Sequence, residues 1–198
     1  EAQIYVIDLA RGGEAQRATR ISTGATSPRF SPDGTRLLYS STVPTQSGND
    51  VDSQRLAKEE EEKKYKVRAY SSYPIRSWDA WIEDKQLRLF VQRIGEQDGR
   101  DILAGSKLST GSGFALTEKS AQWSPDGKSA VFAASRNNDR SAWSFTNADL
   151  WIVLAQGGEP RRLTGADSLE AGESWTSPRF STDGSLLFAL VEPRTSNV

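Results

Sequence analysis

The sequence predicts an all-β fold: a partial β-propeller of four-stranded antiparallel blades with Ser-Pro-Asp-Gly-type turns and a charged insertion of helical charge spacing. Two observations predict it, an eight-residue motif that occurs three times and a strand-hairpin-strand pattern that recurs beside it. The motif reads Ser27-Pro28-Arg29-Phe30-Ser31-Pro32-Asp33-Gly34, then Ser120-Ala121-Gln122-Trp123-Ser124-Pro125-Asp126-Gly127, then Ser177-Pro178-Arg179-Phe180-Ser181-Thr182-Asp183-Gly184. Internal repetition of this kind marks a repeat architecture in which each copy is one supersecondary unit.

Each part of the motif has a local reason. Ser-Pro-Asp-Gly fits a type I turn: serine caps the first position, proline presets φ at the second, and aspartate and glycine suit the third and fourth. The turn residues expected to be structural are Asp33, Gly34, Asp126, Gly127, Asp183 and Gly184. Thr182 replaces proline in the third copy, which removes preorganisation and keeps the turn feasible. The aromatic before each turn (Phe30, Trp123, Phe180) is expected to end a strand and pack between layers. After each turn comes a short apolar run, Arg36–Ser40, Ala130–Ala133 and Leu186–Val191, of a length that suits a strand.

The second half of the unit recurs as well. Gln3–Leu9 precedes Arg11-Gly12-Gly13, and Asp149–Leu154 precedes Gln156-Gly157-Gly158, each a strand followed by a Gly-Gly hairpin. Short polar strands follow at Gln16–Ile21 and Pro160–Thr164. Four antiparallel strands per unit is the composition of a propeller blade.

Asp126 and Asp183 stand 57 residues apart, one blade with a modest loop, whereas Asp33 and Asp126 stand 93 apart. A blade takes about 40–45 residues, so the wider interval holds a long insertion or a hidden blade. The insertion is favoured, because Thr42 to Lys66 has little strand character and one clear third strand follows, Leu87–Val91. A degenerate blade beginning near Pro74 is the competing arrangement. The expected division is 1–26 as the tail of one blade, 27–117 as a blade with an insertion at about 42–84, 118–170 as a further blade and 171–198 as the start of the next. Such a chain is expected to be a fragment of a longer protein, or to close its ring on another chain through open blade edges.

Composition narrows the function. Lys and Arg number 25 and Asp and Glu 26, a balance unlike the basic excess of a nucleic-acid module. No apolar run reaches the roughly 18 residues of a membrane span. Cysteine is absent, which removes disulfides and thiolate chemistry. Histidine is absent too, so this chain alone cannot carry a Ser-His-Asp relay or imidazole metal ligands. No catalytic residue, cofactor or metal is expected in it.

Several segments invite a sharper reading. Lys58-Glu59-Glu60-Glu61-Glu62-Lys63-Lys64 places Glu59/Lys63 and Glu60/Lys64 at i,i+4, which reads as a short solvated helix or exposed loop; consecutive glutamates cannot all face one ligand. Tyr70 to Trp81 gathers four aromatics with Arg76, Trp78 and Asp79. Its plain reading is a strand with Trp78 inside a blade and Arg76 and Asp79 paired at a rim. Its functional reading makes Arg76, Trp78, Asp79 and Trp81 candidates for a substrate-gating surface. Ser112, in Gly111-Ser112-Gly113, lacks the spacing and the strand-to-helix elbow of a hydrolase nucleophile and is read as loop. Asp33, Asp126 and Asp183 are not read as metal ligands, since equivalent turns are expected to point apart around a ring.

The Ser-Pro-Asp-Gly units resemble the TolB-like, WD40-like propeller repeats of periplasmic TolB and of the N-terminal propellers of prolyl-oligopeptidase-type (S9) serine peptidases. These include acylaminoacyl peptidases and dipeptidyl peptidases. The run Lys66-Val67-Arg68-Ala69-Tyr70 through Tyr73-Pro74-Ile75-Arg76-Ser77-Trp78-Asp79-Ala80-Trp81 is similar to the long blade insertion of the bacterial dipeptidyl-peptidase branch, which turns the reading towards the peptidases. The resemblance implies a C-terminal α/β-hydrolase domain as partner, bearing the Ser-Asp-His triad, and peptide substrates that the propeller gates. None of the triad positions lies in this sequence. The resemblance also implies a periplasmic or secreted location, with cytoplasmic as the alternative. A TolB-like protein-binding scaffold without activity is the alternative function. A propeller enzyme with its site on the ring is disfavoured by the missing histidine and the lack of a convergent carboxylate pair.

Overall fold

The computed structural model describes residues 1–65, 67, 76–77, 80–81, 84–117, 121–141, 143–164 and 172–193, with 76–77 and 80–81 as backbone. The described residues are mostly antiparallel sheet with few helices, and among them no sheet closes into a barrel. A first hairpin joins β1 (Tyr5–Val6) to β2 (Gln16–Arg17). A four-stranded sheet follows, containing β3 (Thr26–Phe30) and β4 (Arg36–Pro44). The chain then leaves that sheet through helix α1 (Asp50–Glu61) and the small hairpin of β5 (Arg76–Ser77) and β6 (Ala80–Trp81). It returns as β7 (Lys85–Arg93), paired with β4 along its whole length, and β8 (Arg100–Asp101). Helix α2 (Lys107–Thr110) leads into the next sheet, β9 (Ala115–Leu116), β10 (Gln122–Trp123), β11 (Ser129–Ser135), β12 (Ala148–Leu154) and β13 (Arg161–Arg162). Both β9 and β10 lie on one edge of β11, as a single interrupted first strand. The last pair is β14 (Ser174–Phe180) with β15 (Leu187–Glu192).

The three motif copies fold in one register. Phe30 pairs with Leu37, Trp123 with Ala130 and Phe180 with Leu187. In each turn the glycine N–H donates to the serine carbonyl, at 2.8–2.9 Å, which is the type I turn that the sequence predicts. The aspartate does more than suit its position. It accepts from the serine hydroxyl (Ser31 to Asp33 2.5 Å, Ser124 to Asp126 2.5 Å, Ser181 to Asp183 2.6 Å) and from the backbone N–H two residues on. These bonds favour the ionised carboxylate: the Ser31 hydroxyl first, then Thr35, hold Asp33 at about 2, and Ser181 and Ser185 hold Asp183 at about 2.

Consecutive turns lie close together. A Cβ on Gly127 would lie 3.4 Å from Pro32 Cδ, and one on Gly184 would lie 3.2 Å from Pro125 Cγ. Consecutive turns therefore stack, proline on glycine, and β10 packs against both β3 and β14. Arg36 fixes the first step by donating to the Gly127 carbonyl at 2.8 Å with its guanidinium 5.0 Å from the Trp123 ring centroid. Trp123 Nε1 donates to the Arg29 carbonyl at 3.1 Å. Of the three motif aromatics, Trp123 is buried between layers, whereas Phe30 is 54% exposed. Trp123 packs back onto the first motif copy through the Arg29 carbonyl and the Arg36 guanidinium, contacts without a counterpart at Phe30 among the described residues.

The first residue of the motif has a role that sequence reasoning missed. Ser27 and Ser177 sit at φ 54 and 53, in the left-handed region, and each begins a register shift in its strand pair, between Thr26 and Arg29 and between Thr176 and Arg179. A bulge of this kind adds a residue to one strand and increases its twist. For a non-glycine residue that conformation costs about 1–2 kcal/mol. Ser27→Gly is therefore expected to leave the urea midpoint unchanged or raise it, and Ser27→Val to lower stability by about 2 kcal/mol because a β-branched side chain fits the region worst. Equal midpoints for the two variants would show that the left-handed bulge is not maintained in solution.

Two apolar layers hold the sheets together. One joins Leu38, Leu89, Val91, Ile102 and Leu103 to Trp123, Phe132, Trp151 and Val153. The other joins Ile4, Ile21 and Ala25 to Leu37, Tyr39, Val43 and Phe90, with the Tyr39 and Phe90 rings stacked at 5.5 Å. Strand β11 is buried almost throughout, with Ala130, Phe132 and Ala134 in the first of these layers and β14 packed nearby, which explains its unbroken run of small and apolar residues. Fully burying a side chain such as Phe132 contributes about 1.5–3 kcal/mol.

Candidate functional site

The strand order puts the connections on two unlike sides. Within each sheet, the turn between the first two strands and the hairpin between the last two share one end, and turn stacking aligns those ends. That side carries connections of five to nine residues, whereas on the opposite side run the longer connections 102–114 and 136–147, and there the chain leaves β4 at Pro44 and returns to β7 at Lys85. Binding residues concentrate on loops held by a rigid scaffold, so this long-loop side is where a functional surface belongs.

Of the gating candidates, Arg76 and Trp81 face each other in backbone register across the β5–β6 hairpin, within the 45–84 excursion. Trp78 and Asp79 lie outside the described residues, as does Ser120 of the second motif copy. The excursion begins later than the sequence suggests, since Thr42, Val43 and Pro44 continue β4 and pair with Leu87, Gln86 and Lys85. Helix α1 also begins before the acidic run, at Asn49, whose side chain accepts from the Asp52 N–H at 2.9 Å. The helix ends at Glu61, so the expected Glu59/Lys63 and Glu60/Lys64 pairs do not form. Arg55 meets Glu59 at 2.7 Å instead, Lys58 meets Glu62 at 3.8 Å, and Lys63 bonds Glu60. Asp50 ties the helix to the scaffold by accepting from the Ser22 hydroxyl at 2.6 Å and the Ser22 N–H at 2.8 Å.

The 136–147 connection, between β11 and β12, is built differently. Its base is polar and locked. Buried Asn137 donates to the Phe145 carbonyl at 3.0 Å, and its Oδ1 accepts from the Ser135 hydroxyl at 2.8 Å. Asn138 N–H donates to the Gly113 carbonyl at 2.9 Å, and the Ser144 N–H donates to the Arg140 carbonyl at 2.9 Å. Ser112, read from sequence as a loop residue, donates to Asp139 Oδ2 at 2.8 Å and so pins one connection to another. At the tip, Trp143 and Phe145 are 68% and 70% exposed. With Ser141 and Ser144 they line an open cavity of about 350 Å³. The sequence signal was available as Trp143-Ser144-Phe145, two aromatics at alternate positions between strands, but nothing in the pattern alone separates an exposed pair from a buried one.

A second missed feature lies within the sheets. Arg88 on β7 meets Asp101 on β8 at 3.1 Å, each side chain 3% exposed. Phe90 pairs with Asp101 as Trp151 pairs with Arg162, so Asp149 and Arg162 occupy the places of Arg88 and Asp101 with the charges exchanged. Asp149 lies 3.8 Å from Arg162 and 3.5 Å from Arg136, whose guanidinium stacks 5.8 Å from the Trp151 centroid. Burial pushes both carboxyls up, Asp101 against the pull of Arg88 and Asp149 against Arg136 and Arg162. Each pair ties neighbouring strands within one sheet, Arg88 to Asp101 across β7 and β8 and Asp149 to Arg162 across β12 and β13.

Among curated proteins, the chain is similar to a dipeptidyl-peptidase 5 of Porphyromonas endodontalis, 25% identical over 190 residues. The alignment covers 93% of this chain and 26% of the relative, so the chain spans about a quarter of that protein's length. No protein-family profile matches it.

Proposed function

We propose that these residues form part of the propeller of a prolyl-oligopeptidase-type serine peptidase, where they gate and position peptides for an α/β-hydrolase domain elsewhere in the protein. The observation that carries this is the alignment with a dipeptidyl peptidase along nearly the whole chain and only part of the relative. The absence of histidine supports it, because the proton relay of such an enzyme must then come from other residues. The recurring register, the stacked turns and the sheet of β3, β4, β7 and β8 support blades at 27–117 and 118–170, with parts of blades at 1–26 and 171–198. Continuous pairing of β4 with β7 supports one blade with an insertion over a hidden extra blade. In this reading Arg76, Trp78, Asp79 and Trp81 are the candidates for the gate.

The test is fluorophosphonate labelling of the longest native polypeptide that contains these residues, followed by peptide mapping. A labelled serine outside residues 1–198 is expected. A polypeptide that never labels, and whose remaining sequence holds only further sheet repeats, would replace the peptidase by a binding scaffold.

A further inference from the structure

Strand β15 leaves one apolar face uncovered, and the register relates that face to two others that are covered. Arg29 pairs with Leu38, Gln122 with Val131 and Arg179 with Phe188, so Leu38, Val131 and Phe188 are one position in three successive sheets. Two residues on, Ser40, Ala133 and Leu190 are equivalent in the same way. Leu38, Ser40, Val131 and Ala133 are all 1% exposed or less, whereas Phe188 and Leu190 are 59% and 65% exposed. Leu38 lies in the layer shared with Trp123 and Phe132 of the next sheet. Ala130, Phe132 and Ala134 turn towards that same layer, so alternation along β11 turns Val131 and Ala133 to the face left for β14. The alternation continues on β15, where Leu187 and Ala189 are partly buried and Phe188 and Leu190 stand out.

We propose that the face formed by Leu186, Phe188 and Leu190 is the seat of a further antiparallel sheet of the same strand-turn-strand kind, supplied by the polypeptide that carries these residues. A strand added at the edge of β15 would not cover this face, because strands pair side by side and only a second layer lies across them. The kind of layer follows from repetition. At both earlier steps the cover is a strand-turn-strand unit whose turn glycine stands against the proline of the turn before it, Gly127 by Pro32 and Gly184 by Pro125. Thr182 holds the place of that proline in the third turn. This seat differs from the first in one respect: Arg36, which bonds the Gly127 carbonyl, has as its counterpart Leu186, 58% exposed. The seat is therefore apolar throughout and takes its cover without a guanidinium bond. Contiguous exposed apolar surface of this kind marks an interface. The seat rests on register. Only the source of the sheet rests on the reading above, in which these residues are part of a longer polypeptide, as their 26% share of the aligned relative supports.

The experiment is photo-cross-linking of the longest native polypeptide that contains these residues, carrying Phe188→p-benzoylphenylalanine, as a mixture of isotopically light and heavy protein. Mass mapping is expected to find the cross-link within one polypeptide, outside residues 1–198, on a strand next to a further Ser-x-Asp-Gly turn. A light-to-heavy cross-link overturns the proposal in favour of a second copy. A cross-link to a segment without such a turn overturns it in favour of a different domain, and no cross-link shows a face open to water and overturns it too. Phe188→Asp gives a second reading. Its urea midpoint in the long polypeptide is expected to fall well below the wild type, because the substitution sets a carboxylate in a buried layer. A midpoint equal to the wild type overturns the proposal. Where Phe188→Asp fails to fold, the cross-link, which keeps an aromatic side chain at the position, decides alone. A protein that never labels with fluorophosphonate yet gives the expected cross-link keeps the seat and loses the peptidase. One that labels and cross-links elsewhere keeps the peptidase and loses the seat.

Discussion

Arg88→Ala is expected to destabilise the chain by about 3–5 kcal/mol, the usual result of removing one partner from a buried ion pair. The Arg88 and Asp101 side chains are each 3% exposed and 3.1 Å apart, and Asp101 also accepts from the Leu103 N–H at 2.8 Å. Without the guanidinium, Asp101 faces an apolar layer that includes Ile102 and Leu103 with no cation to offset its burial. Burial already raises the Asp101 pKa, with Arg88 the main influence against it. Removing Arg88 raises it further above the unfolded value of about 3.9. A carboxyl whose folded pKa is raised penalises the folded state when ionised, and the penalty fades as pH falls through the folded pKa towards the unfolded one. The deficit of Arg88→Ala should therefore be largest at neutral pH and shrink as pH approaches about 4. Urea unfolding at several pH values measures this directly. A deficit independent of pH would mean that lost packing, not the stranded charge, explains the variant. The variant Arg88→Met with Asp101→Leu should recover most of the stability, since an apolar pair of similar volume often replaces a buried ion pair at little cost.

Much of this architecture is legible from residues alone, and the illegible part has a common cause. The Ser31-Pro32-Asp33-Gly34 turn is a local event, decided by residues within four positions, and so are the runs on either side of it. That locality is why the turns, the strand that follows each one and the Gly-Gly hairpins can be read from the chain. The pairing of β4 with β7 is a contact across forty intervening residues, and only the spacing between motif copies hinted at it. The Arg88–Asp101 pair and its charge-exchanged counterpart at Asp149 and Arg162 lie beyond reach for a different reason. An arginine in Leu87-Arg88-Leu89 reads as the solvent side of an alternating strand, and burial of both faces by neighbouring layers is a tertiary fact. Phe30 and Trp123 make the same point in reverse: identical motif positions and opposite exposure, with Trp123 covered by the tertiary contacts of Arg29 and Arg36. The left-handed serines escaped because Ser-Pro does not announce positive φ as glycine does. The exposed rings of Trp143 and Phe145 follow the same rule, since their loop is held by Asn137 and Gly113, residues with no chemical signature in sequence.

Gly113→Ala should have the second large effect, and a more selective one. A Cβ at this position would stand 2.1 Å from the Arg136 carbonyl oxygen, 2.6 Å from its carbon and 2.7 Å from Asp139 Oδ1. Two of those atoms are backbone, so no rotamer change relieves the overlap and the 111–113 and 136–140 segments must separate. Forced overpacking of this kind typically costs about 1–3 kcal/mol. The separation would also stretch the Asn138 N–H to Gly113 bond, now 2.9 Å, and the Ser112 to Asp139 bond, now 2.8 Å. Those are lateral anchors of the loop that carries Trp143 and Phe145. A global melt alone would weaken every property together. Loss of anchoring predicts more: under conditions where Gly113→Ala remains folded, the segment from Arg136 to Ser141 should loosen while the sheets stay intact. Hydrogen exchange should quicken at Asn138 and Ser144 before it does in β11, whose amides are protected by ladders on both sides. A folded Gly113→Ala protein whose Asn138 and Ser144 amides exchange as in the wild type would show that the loop holds its position without this contact, and its rigidity would then rest on Asn137.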